Sequence, residues 1–463
     1  MEIDTHVKSM ENKQNNPDSV TSGINAFDDW LKGRNPNQTD FQHAVQSVVK
    51  DVLPIVQKDE RLLSSKVLQR LTEPDRIVSF RVVWEDDENE INVNRGYRVQ
   101  HTNALGPYKG GLRFSPEVNA DVLKFLAFEQ AFKNSLTGLD LGAGKGGADF
   151  DPRGRSDREI MRFCQAFMTE LYRHIGPEAD VPAGDIGVGE REIGYLFGQY
   201  RRISKTFSGT LTGKRPMAGG SELRTEATGF GAVYFLCHML TLGNVEIEGK
   251  RVAISGAGNV ALHAAQKAVQ LDANVITLSN RAGTLYHADG LSEQAIQQAK
   301  TSRAQGSTLE EIADDLGAEW FADKKPWTRE CDIAIPSATQ NEVNAGDAKS
   351  LADGRCGYLI EAANKPLTED AEGVLAEAGV AVGPGKAANA GGVAVSGFEM
   401  AQNRLGISWS RDRVDDQLRE TMKRIFVACV EHSDSDDAQD LRRGANIAGF
   451  RRLADALVSS GAV

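Results

Sequence analysis

The sequence has few cysteines and no long apolar run, and each absence excludes a class of protein. Its five cysteines (positions 164, 237, 331, 356 and 429) form no CxxC pair, which argues against a zinc site and a disulfide framework. No apolar run approaches the roughly 20 residues that a membrane-spanning helix requires. The N-terminal residues lack the basic and apolar stretches of a signal peptide. We therefore expect a cytoplasmic protein with reduced thiols, no metal site and no membrane partner.

Basic residues are also in deficit. Lys and Arg number 53 against 65 Asp and Glu, which gives a formal charge of −12. A nucleic-acid-binding surface needs the opposite sign of charge, so no nucleic-acid partner is expected. A length of 463 residues predicts two or three domains, and the 46 glycines suit an α/β enzyme with many tight turns.

The apolar pattern changes near position 220. Before it, alternating residues at 76–83 and 90–100 predict a β-hairpin, and Ser115 followed by Pro116 predicts the start of a helix. After it, short apolar runs alternate with helical stretches, which indicates βαβ units and a parallel, doubly wound sheet. The predicted strands lie at 252–254, 275–278, 333–335, 358–360 and 380–382.

These patterns define the expected organisation of the chain. Residues 1–23 are polar and predict a disordered tail. One domain is predicted over 24–220 and a nucleotide-binding domain over 221–410. Helices over 411–463 are expected to pack back on the first domain.

A glycine-rich motif begins the second domain. Ser255–Ala261 reads G-x-G-x-x-A between a predicted strand and a helix. Gly256 permits a tight turn, Gly258 lets the backbone approach a pyrophosphate, and the helix N-terminus faces the phosphates. A turn that binds no ligand is the alternative. The motif predicts a Rossmann-like dinucleotide site whose phosphate-binding residues are Gly256, Gly258, Asn259 and Val260.

The end of the next strand, Ser279-Asn280-Arg281, indicates the coenzyme. A site for NAD usually places an acid here to bind the ribose hydroxyls. Asn280 carries no charge that repels a 2′-phosphate, Arg281 can pair with one, and Ser279 can donate to it. The residues therefore predict NADP(H). In the alternative reading, Arg281 points to solvent on a βα loop.

Three lysines and an acid of the first domain predict a site for chemistry. Glycines flank Lys109 and Lys145 and allow close approach of the backbone, and Lys133 lies between them in the sequence. Asp185 lies among small and apolar residues. Taken singly, each lysine is more typical of a solvated surface, and Asp185 of a turn. Together they predict a pocket for a small dianionic substrate, with one lysine left for proton transfer.

Several longer segments resemble the NADP-type glutamate dehydrogenases, the hexameric small-subunit family. The resemblance runs from about residue 40 to the C-terminus. Its specific segments are Gly106–Phe114 (GPYKGGLRF), Phe132–Thr137 (FKNSLT), Asp180–Val188 (DVPAGDIGV), Arg224–Gly229 (RTEATG), Ser337–Val343 (SATQNEV), Pro384–Met400 (PGKAANAGGVAVSGFEM) and Gly444–Phe450 (GANIAGF). It implies an N-terminal α/β domain for substrate binding and oligomerisation, followed by a Rossmann-like domain. It also implies a homohexamer that interconverts 2-oxoglutarate, ammonia and glutamate with NADP(H).

The resemblance also implies roles for individual residues. Lys145 matches the catalytic lysine, whose pKa is expected to be lowered by burial and by the charge of Lys133. Asp185 matches the acid that moves protons. Lys109 and Ser396 match the ligands of the substrate's distal carboxylate, and Lys133 matches the ligand of its α-carboxylate. Further matches are Gly110, Gly184, Arg224 and Val393 for the substrate, and Thr212, Thr228, Ala338, Thr339, Asn364 and Asn389 for the coenzyme.

The sequence departs from the family pattern beside these positions. Asp140 stands in place of Pro, and Ala143 replaces a glycine, which is harmless only where φ is negative. Lys365 replaces Met, and Glu190 replaces a small residue.

Two alternative functions differ from this one in the residues that they require. Dehydrogenases of apolar amino acids resemble this architecture but lack the carboxylate ligands that Lys109 and Ser396 supply. A non-catalytic dinucleotide sensor would not need the Lys145 and Asp185 pair.

Overall fold

The structure, a computed structural model, describes residues 17–433 and 440–462, with side chains from residue 23 on. The chain divides into two compact units. The first contains the described residues up to Ser135, then Leu139–Arg215, and those from Asn446 on; the second contains Leu136–Gly138 and the described residues of Pro216–Ala445. Most of the predicted tail lies outside the described residues, but its last part, from Pro17, begins a helix.

The first unit combines a mixed sheet with helices. Its helices are α1 (Pro17–Arg34), α2 (Thr39–Lys58), α3 (Glu60–Ser64), α4 (Val67–Thr72), α5 (Ala120–Leu136), α6 (Asp157–Leu171) and α7 (Glu190–Ser204). Its strands are β1 (Arg76–Glu85), β2 (Ile91–Thr102), β3 (Tyr108–Phe114), β4 (Ala143–Ala148) and β5 (Asp180–Gly184), in the order β1-β2-β4-β3-β5. The predicted hairpin is confirmed as the antiparallel pair β1–β2. The predicted start at Ser115 is wrong, because Asn119 caps α5 by accepting a hydrogen bond from the Val122 N–H.

The second unit contains the doubly wound sheet. Its helices are α8 (Ala227–Leu242), α9 (Asn259–Gln270), α10 (Glu293–Ala304), α11 (Ala345–Asp353), α12 (Glu369–Glu377), α13 (Gly385–Ala388), α14 (Gly391–Leu405) and α15 (Arg411–Glu431). Its strands are β6 (Arg251–Ile254), β7 (Asn274–Asn280), β8 (Gly283–Tyr286), β9 (Glu319–Ala322), β10 (Ile333–Ile335), β11 (Tyr358–Ile360) and β12 (Ala381–Gly383), in the order β12-β11-β10-β6-β7-β8-β9.

The parallel part of this sheet follows the sequence pattern. The five predicted strands are β6, β7, β10, β11 and β12, and they pair in parallel. The apolar residues of the central strands are buried, as expected for strands covered on both faces, whereas Ala381 and Val382 of the edge strand β12 are half-buried. The pair β8–β9 was not predicted, and it adds two antiparallel strands at one edge.

The C-terminal helices differ from the expected boundaries. The helix α15 belongs to the second unit, where Phe426 packs against Phe235 of α8. The last helix, α16 (Leu441–Ser459), belongs to the first unit from Asn446 on. There Phe450 and Leu453 are buried in the core of α1, α2 and α5. No helix in the described ranges has the length and apolarity to span a bilayer.

A buried ion pair crosses one face of the first sheet. Arg98 of β2 reaches Asp180 of β5, with Nε 2.9 Å from Oδ2, and both side chains are fully buried. Gly144 and Gly146 of the intervening strand β4 make room for it, because a Cβ on either residue would lie 3.2 Å or less from Arg98 atoms. The glycines around Lys145 therefore accommodate an arginine on the opposite face of the strand.

The Gly144→Ala variant is expected to lose about 2 kcal/mol of unfolding free energy, because its Cβ would meet the Val99 carbonyl and Arg98. Urea titration with an unchanged m-value measures this loss. The matched control is Gly194→Ala, at an exposed position of α7 with open space around the new Cβ, which is expected to gain up to about 1 kcal/mol. Equal stabilities of the two variants would contradict this interpretation.

Candidate active site

Three charged side chains meet on the other face of the first sheet. Strand β3 lies between β4 and β5, with Leu112 opposite both Gly146 and Gly184. Since side chains alternate along a strand, Arg113, Lys145 and Asp185 share one face. The carboxylate of Asp185 lies between the two cations, with Lys145 Nζ 3.3 Å from Oδ1 and Arg113 Nε 2.7 Å from Oδ2.

Glycine at position 111 gives this cluster its space. A Cβ on Gly111 would lie 2.8 Å from Cβ of Asp185 and 2.8 Å from the Gly184 carbonyl oxygen. Only a residue without a side chain allows Asp185 to lie over strand β3. The three charged side chains are 6–15% exposed, so their charges act through a medium poorer in water than the surface.

Burial and neighbouring charges change the pKa of both members of the predicted catalytic pair. Burial lowers the pKa of Lys145 from its usual 10.5; the charge of Asp185 opposes this, and those of Arg113 and Arg98 add to it. For Asp185, burial alone would raise the pKa, but Lys145 and Arg113 outweigh it and lower the pKa to about 2. The cations with the largest lowering effect on the pKa of Lys145 are therefore Arg113 and Arg98, neither of which was expected from the sequence.

The remaining predicted residues of the first unit lie on nearby elements. Lys109 is fully buried on β3, and its Nζ donates to the Val181 carbonyl at 3.0 Å and to Thr212 Oγ1 at 2.8 Å. The structure thus brings two predicted ligands, Lys109 and Thr212, into direct contact. Lys133 is half-buried near the C-terminal end of α5. Gly110 and Gly184 lie on β3 and β5.

The glycine motif of the second unit lies where the sheet reverses its order. Strand β6 is flanked by β7 on one side and β10 on the other, so the turn after it lies at the switch point of the sheet. Gly256 has φ +86°, which a side chain would strain. The Cβ position of Gly258 is open, and Gly258 and Asn259 are exposed at the start of α9.

Within this turn the predicted residues have different partners. The amide of Asn259 donates to the Thr225 carbonyl at 2.6 Å, which ties the start of α9 to the segment before α8. Val260 is half-buried in the first turn of α9. The backbone N–H groups of that turn have no partner within the helix and can bind phosphate oxygens.

The predicted coenzyme-selecting residues lie in a hairpin turn. The chain continues from β7 into the antiparallel strand β8, so Arg281 lies on a ββ-hairpin and not on a βα loop. The Asn280 side chain accepts hydrogen bonds from the Ala282 and Gly283 N–H groups and closes the turn. Ser279 Oγ accepts from the Gly256 N–H at 3.1 Å, which leaves its hydroxyl hydrogen free to be donated. Arg281 is exposed.

Further predicted coenzyme residues lie at the carboxyl ends of β10 and β11. The backbone N–H groups of Ala338 and Thr339 both donate to Glu342, so they serve the turn itself. The amide of Asn389 donates to the Ala363 carbonyl at 3.0 Å and to Asn364 Oδ1 at 3.3 Å. Among the described residues, nothing donates to the buried Oδ1 of Asn389.

The predicted substrate residues of the second unit lie on α14 or contact it. Arg224 Nε donates to Ser396 Oγ at 2.8 Å, and burial lowers the pKa of Arg224. Val393 and Ser396 are both buried on α14. Thr228 packs against the same helix, since a Cβ on Gly392 would lie 2.5 Å from its Oγ1.

Comparisons with known proteins agree with this geometry. The profile of the Glutamate/Leucine/Phenylalanine/Valine dehydrogenase family matches residues 219–461, and that of the Glu/Leu/Phe/Val dehydrogenase dimerisation domain matches residues 74–202. The chain belongs to this dehydrogenase family.

Relatives extend the match along nearly the whole chain. The NADP-specific glutamate dehydrogenase of Psychrobacter sp. (strain TAD1) is 51% identical, over 93% of this chain and 97% of that protein. The NAD-specific glutamate dehydrogenase of Bacteroides fragilis (strain YCH46) is 48% identical, over 94% and 98%. The crystal structure of Plasmodium falciparum glutamate dehydrogenase superposes with a TM-score of 0.94 at 45% identity, covering 97% of each chain. The resemblance to the family and the two-domain α/β fold are confirmed.

The departures from the family pattern are mild where the structure describes them. Asp140 is 88% exposed, with Arg452 at 3.7 Å. Ala143 begins β4 without a positive φ, so its methyl group causes no backbone strain. Lys365 has a left-handed φ of +46°. Glu190 begins α7 and pairs with Arg215 at 3.3 Å.

Two cations that act on the catalytic pair were not predicted from the sequence. Arg113 follows Lys109 and Gly111 at strand spacing, so alternation along β3 could have placed it on the same face. Arg98 had no such signal, because its partner Asp180 comes from a distant part of the sequence.

Proposed function

We propose that this protein is an NADP-dependent glutamate dehydrogenase that catalyses the reversible reductive amination of 2-oxoglutarate with ammonia to L-glutamate. The observation that carries the proposal is the buried cluster in which Asp185 lies between Lys145 and Arg113. Such a pair of a lysine and a carboxylate can move the protons of this reaction. The names of the NADP-specific relatives support the same activity and coenzyme.

The second unit has the features that a nicotinamide dinucleotide requires. The turn at Gly256, the open position at Gly258 and the start of α9 suit its pyrophosphate. The buried Oδ1 of Asn389 needs a donor, and a carboxamide N–H supplies one. When bound, the coenzyme supplies the hydride.

The two catalytic residues divide the proton transfers. Lys145 donates a hydrogen bond to the carbonyl oxygen of the substrate, and its lowered pKa lets it exchange a proton closer to neutral pH than an ordinary lysine. Asp185 is ionised at neutral pH because its pKa lies near 2. We assign its carboxylate as the acceptor of the proton that the attacking ammonia releases. The protein thus supplies orientation and proton transfer.

The substrate carries two carboxylates, and we assign cations to both. Lys109, held by Thr212, and Ser396, held by Arg224, are assigned to the distal carboxylate. Lys133 is assigned to the α-carboxylate. Gly110, Gly184 and Val393 are assigned to substrate contacts as well.

Removing the distal-carboxylate ligands should change the substrate preference. In the double variant Lys109→Leu with Ser396→Val, kcat/KM for glutamate is expected to fall strongly, because charge-assisted hydrogen bonds are lost. The gap between glutamate and apolar amino acids such as leucine should narrow. Steady-state kinetics with both amino acids measure this. An unchanged preference for glutamate would place the carboxylate ligands elsewhere.

We also propose a cytoplasmic homohexamer. The sheet edge supports association, since β1 is a ten-residue edge strand. Ile91 and Val93 of the adjoining strand are 73% and 64% exposed. Light scattering should give six times the chain mass of 50.2 kDa; a monomer would contradict the proposal.

The proposed activity is tested directly on the purified full chain. We expect oxidation of NADPH that requires both 2-oxoglutarate and ammonium. Turnover with branched or aromatic 2-oxo acids in place of 2-oxoglutarate would instead favour an apolar amino-acid dehydrogenase. Binding of NADPH without any turnover would favour the non-catalytic sensor.

A further inference from the structure

Arg113 has no role in the proton transfers described above, although it touches Asp185 more closely than Lys145 does. Its Nε lies 2.7 Å from Asp185 Oδ2, whereas Lys145 Nζ lies 3.3 Å from Oδ1. The Arg113 and Asp185 side chains are both 15% exposed. The arginine therefore occupies one oxygen of the carboxylate and leaves the other facing the lysine.

We propose that Arg113 is the positioning residue of this site, which fixes the orientation of the Asp185 carboxylate so that Oδ1 remains directed at Lys145 and the reacting groups. This inference rests on the proposed function of the pair. A planar guanidinium suits this task because its donors have a fixed direction. Because Gly111 has no side chain, this position of β3 leaves room for Asp185 beside Arg113.

The charges around the pair come from several strands of the first sheet. Arg113 of β3 acts on both Lys145 of β4 and Asp185, which follows β5, and Arg98 of β2 acts on Lys145. Removing the charge of Arg113 removes a nearby cation from both titrating groups. A lost positive charge raises the pKa of an acid and of a lysine alike, so both values should move to higher pH.

The Arg113→Gln variant tests this on the whole protein. The limb of the pH profile of kcat/KM that Lys145 sets is expected to move upward by about one unit. The kcat at the new optimum should fall roughly tenfold, because Asp185 is no longer oriented. Binding of NADPH, followed by fluorescence, should not change, since Arg113 is not among the residues assigned to the coenzyme.

The conservative variant Arg113→Lys distinguishes a positioning role of Arg113 from an effect on protein stability alone. It keeps the charge, so its pH limbs should return towards those of the wild type, while kcat remains low. The matched control is Arg153→Gln, which removes an arginine that also lies 2.7 Å from a carboxylate, that of Asp151, but is 76% exposed. Its pH profile should be that of the wild type.

A measurement without turnover distinguishes this inference from the proposed function. The rate at which acetic anhydride labels Lys145, followed by mass spectrometry of the peptide, reports the pKa of this lysine at any level of activity. In Arg113→Gln its midpoint should rise. A wild type without glutamate dehydrogenase activity would overturn the proposed function, and the labelling would still decide the effect of Arg113 on Lys145.

Two results would overturn the positioning role. One is a pH profile and labelling curve of Arg113→Gln that superimpose on those of the wild type. The other is an equal loss of activity in Arg113→Lys and Arg113→Gln with unmoved limbs and lower thermal stability, which would mean a structural role alone.

Discussion

Lys145→Ala and Asp185→Asn are each expected to lower kcat by at least ~10²-fold while NADPH binding is retained. The alanine removes the amine beside Asp185 Oδ1, and the asparagine keeps the shape of the side chain but cannot accept a proton as a carboxylate does. The effect should appear in kcat and in kcat/KM together, because these contacts act in the transition state. Steady-state kinetics and fluorescence titration with NADPH measure the two quantities.

An acid outside the site provides the matched control. Asp151 pairs with Arg153 at 2.7 Å, and its pKa is also lowered to about 2, first of all by the hydrogen bond from Arg153. Asp151→Asn should leave kcat within about twofold of the wild type, as for an exposed surface substitution. If the kcat of Lys145→Ala or of Asp185→Asn lay within about threefold of the wild-type value, the catalytic role assigned to that residue would be wrong.

The preference for NADPH over NADH is expected to be at least ~10²-fold in kcat/KM, and Arg281→Ala should remove most of it. In the hairpin turn, the Asn280 side chain accepts a hydrogen bond from the Ala282 N–H, and Ser279 Oγ accepts one from the Gly256 N–H. Arg281 is the residue of the three that carries a positive charge, and it is exposed. A 2′-phosphate pairs with such a cation, whereas NADH has no phosphate there. Turnover with NADH should therefore be unchanged in the variant.

Related proteins make this ratio informative. An NADP-specific relative is 51% identical to the chain and an NAD-specific one is 48% identical, so overall similarity does not decide the preference. A suitable control is Arg329→Ala, which removes a cation over the rings of Tyr286 and Phe321 on β8 and β9. Equal use of NADH by the wild type, or an unchanged ratio in Arg281→Ala, would show that the turn does not read the 2′-phosphate.

Local patterns predicted the regular parts of the fold. The buried apolar runs identified all five parallel strands, because such strands carry their signal in consecutive residues. The strands β8 and β9 were not predicted, because neither carries a run of buried apolar residues. The segments of α15 and α16 were both predicted to be helical. A helical pattern does not say which unit each helix joins.

The sequence by itself determined the family and the fold class and located the glycine-rich turn, and it predicted Lys145 and Asp185 as a pair, because all of these are carried by local motifs. Only the tertiary structure decided what surrounds that pair. Burial and the charges of Arg113 and Arg98 lower the pKa of Lys145, whereas the sequence had predicted an effect of the charge of Lys133. These residues are spread over positions 98–185, and only the pairing of β2, β3, β4 and β5 in one sheet brings their charges close enough to act on the pair.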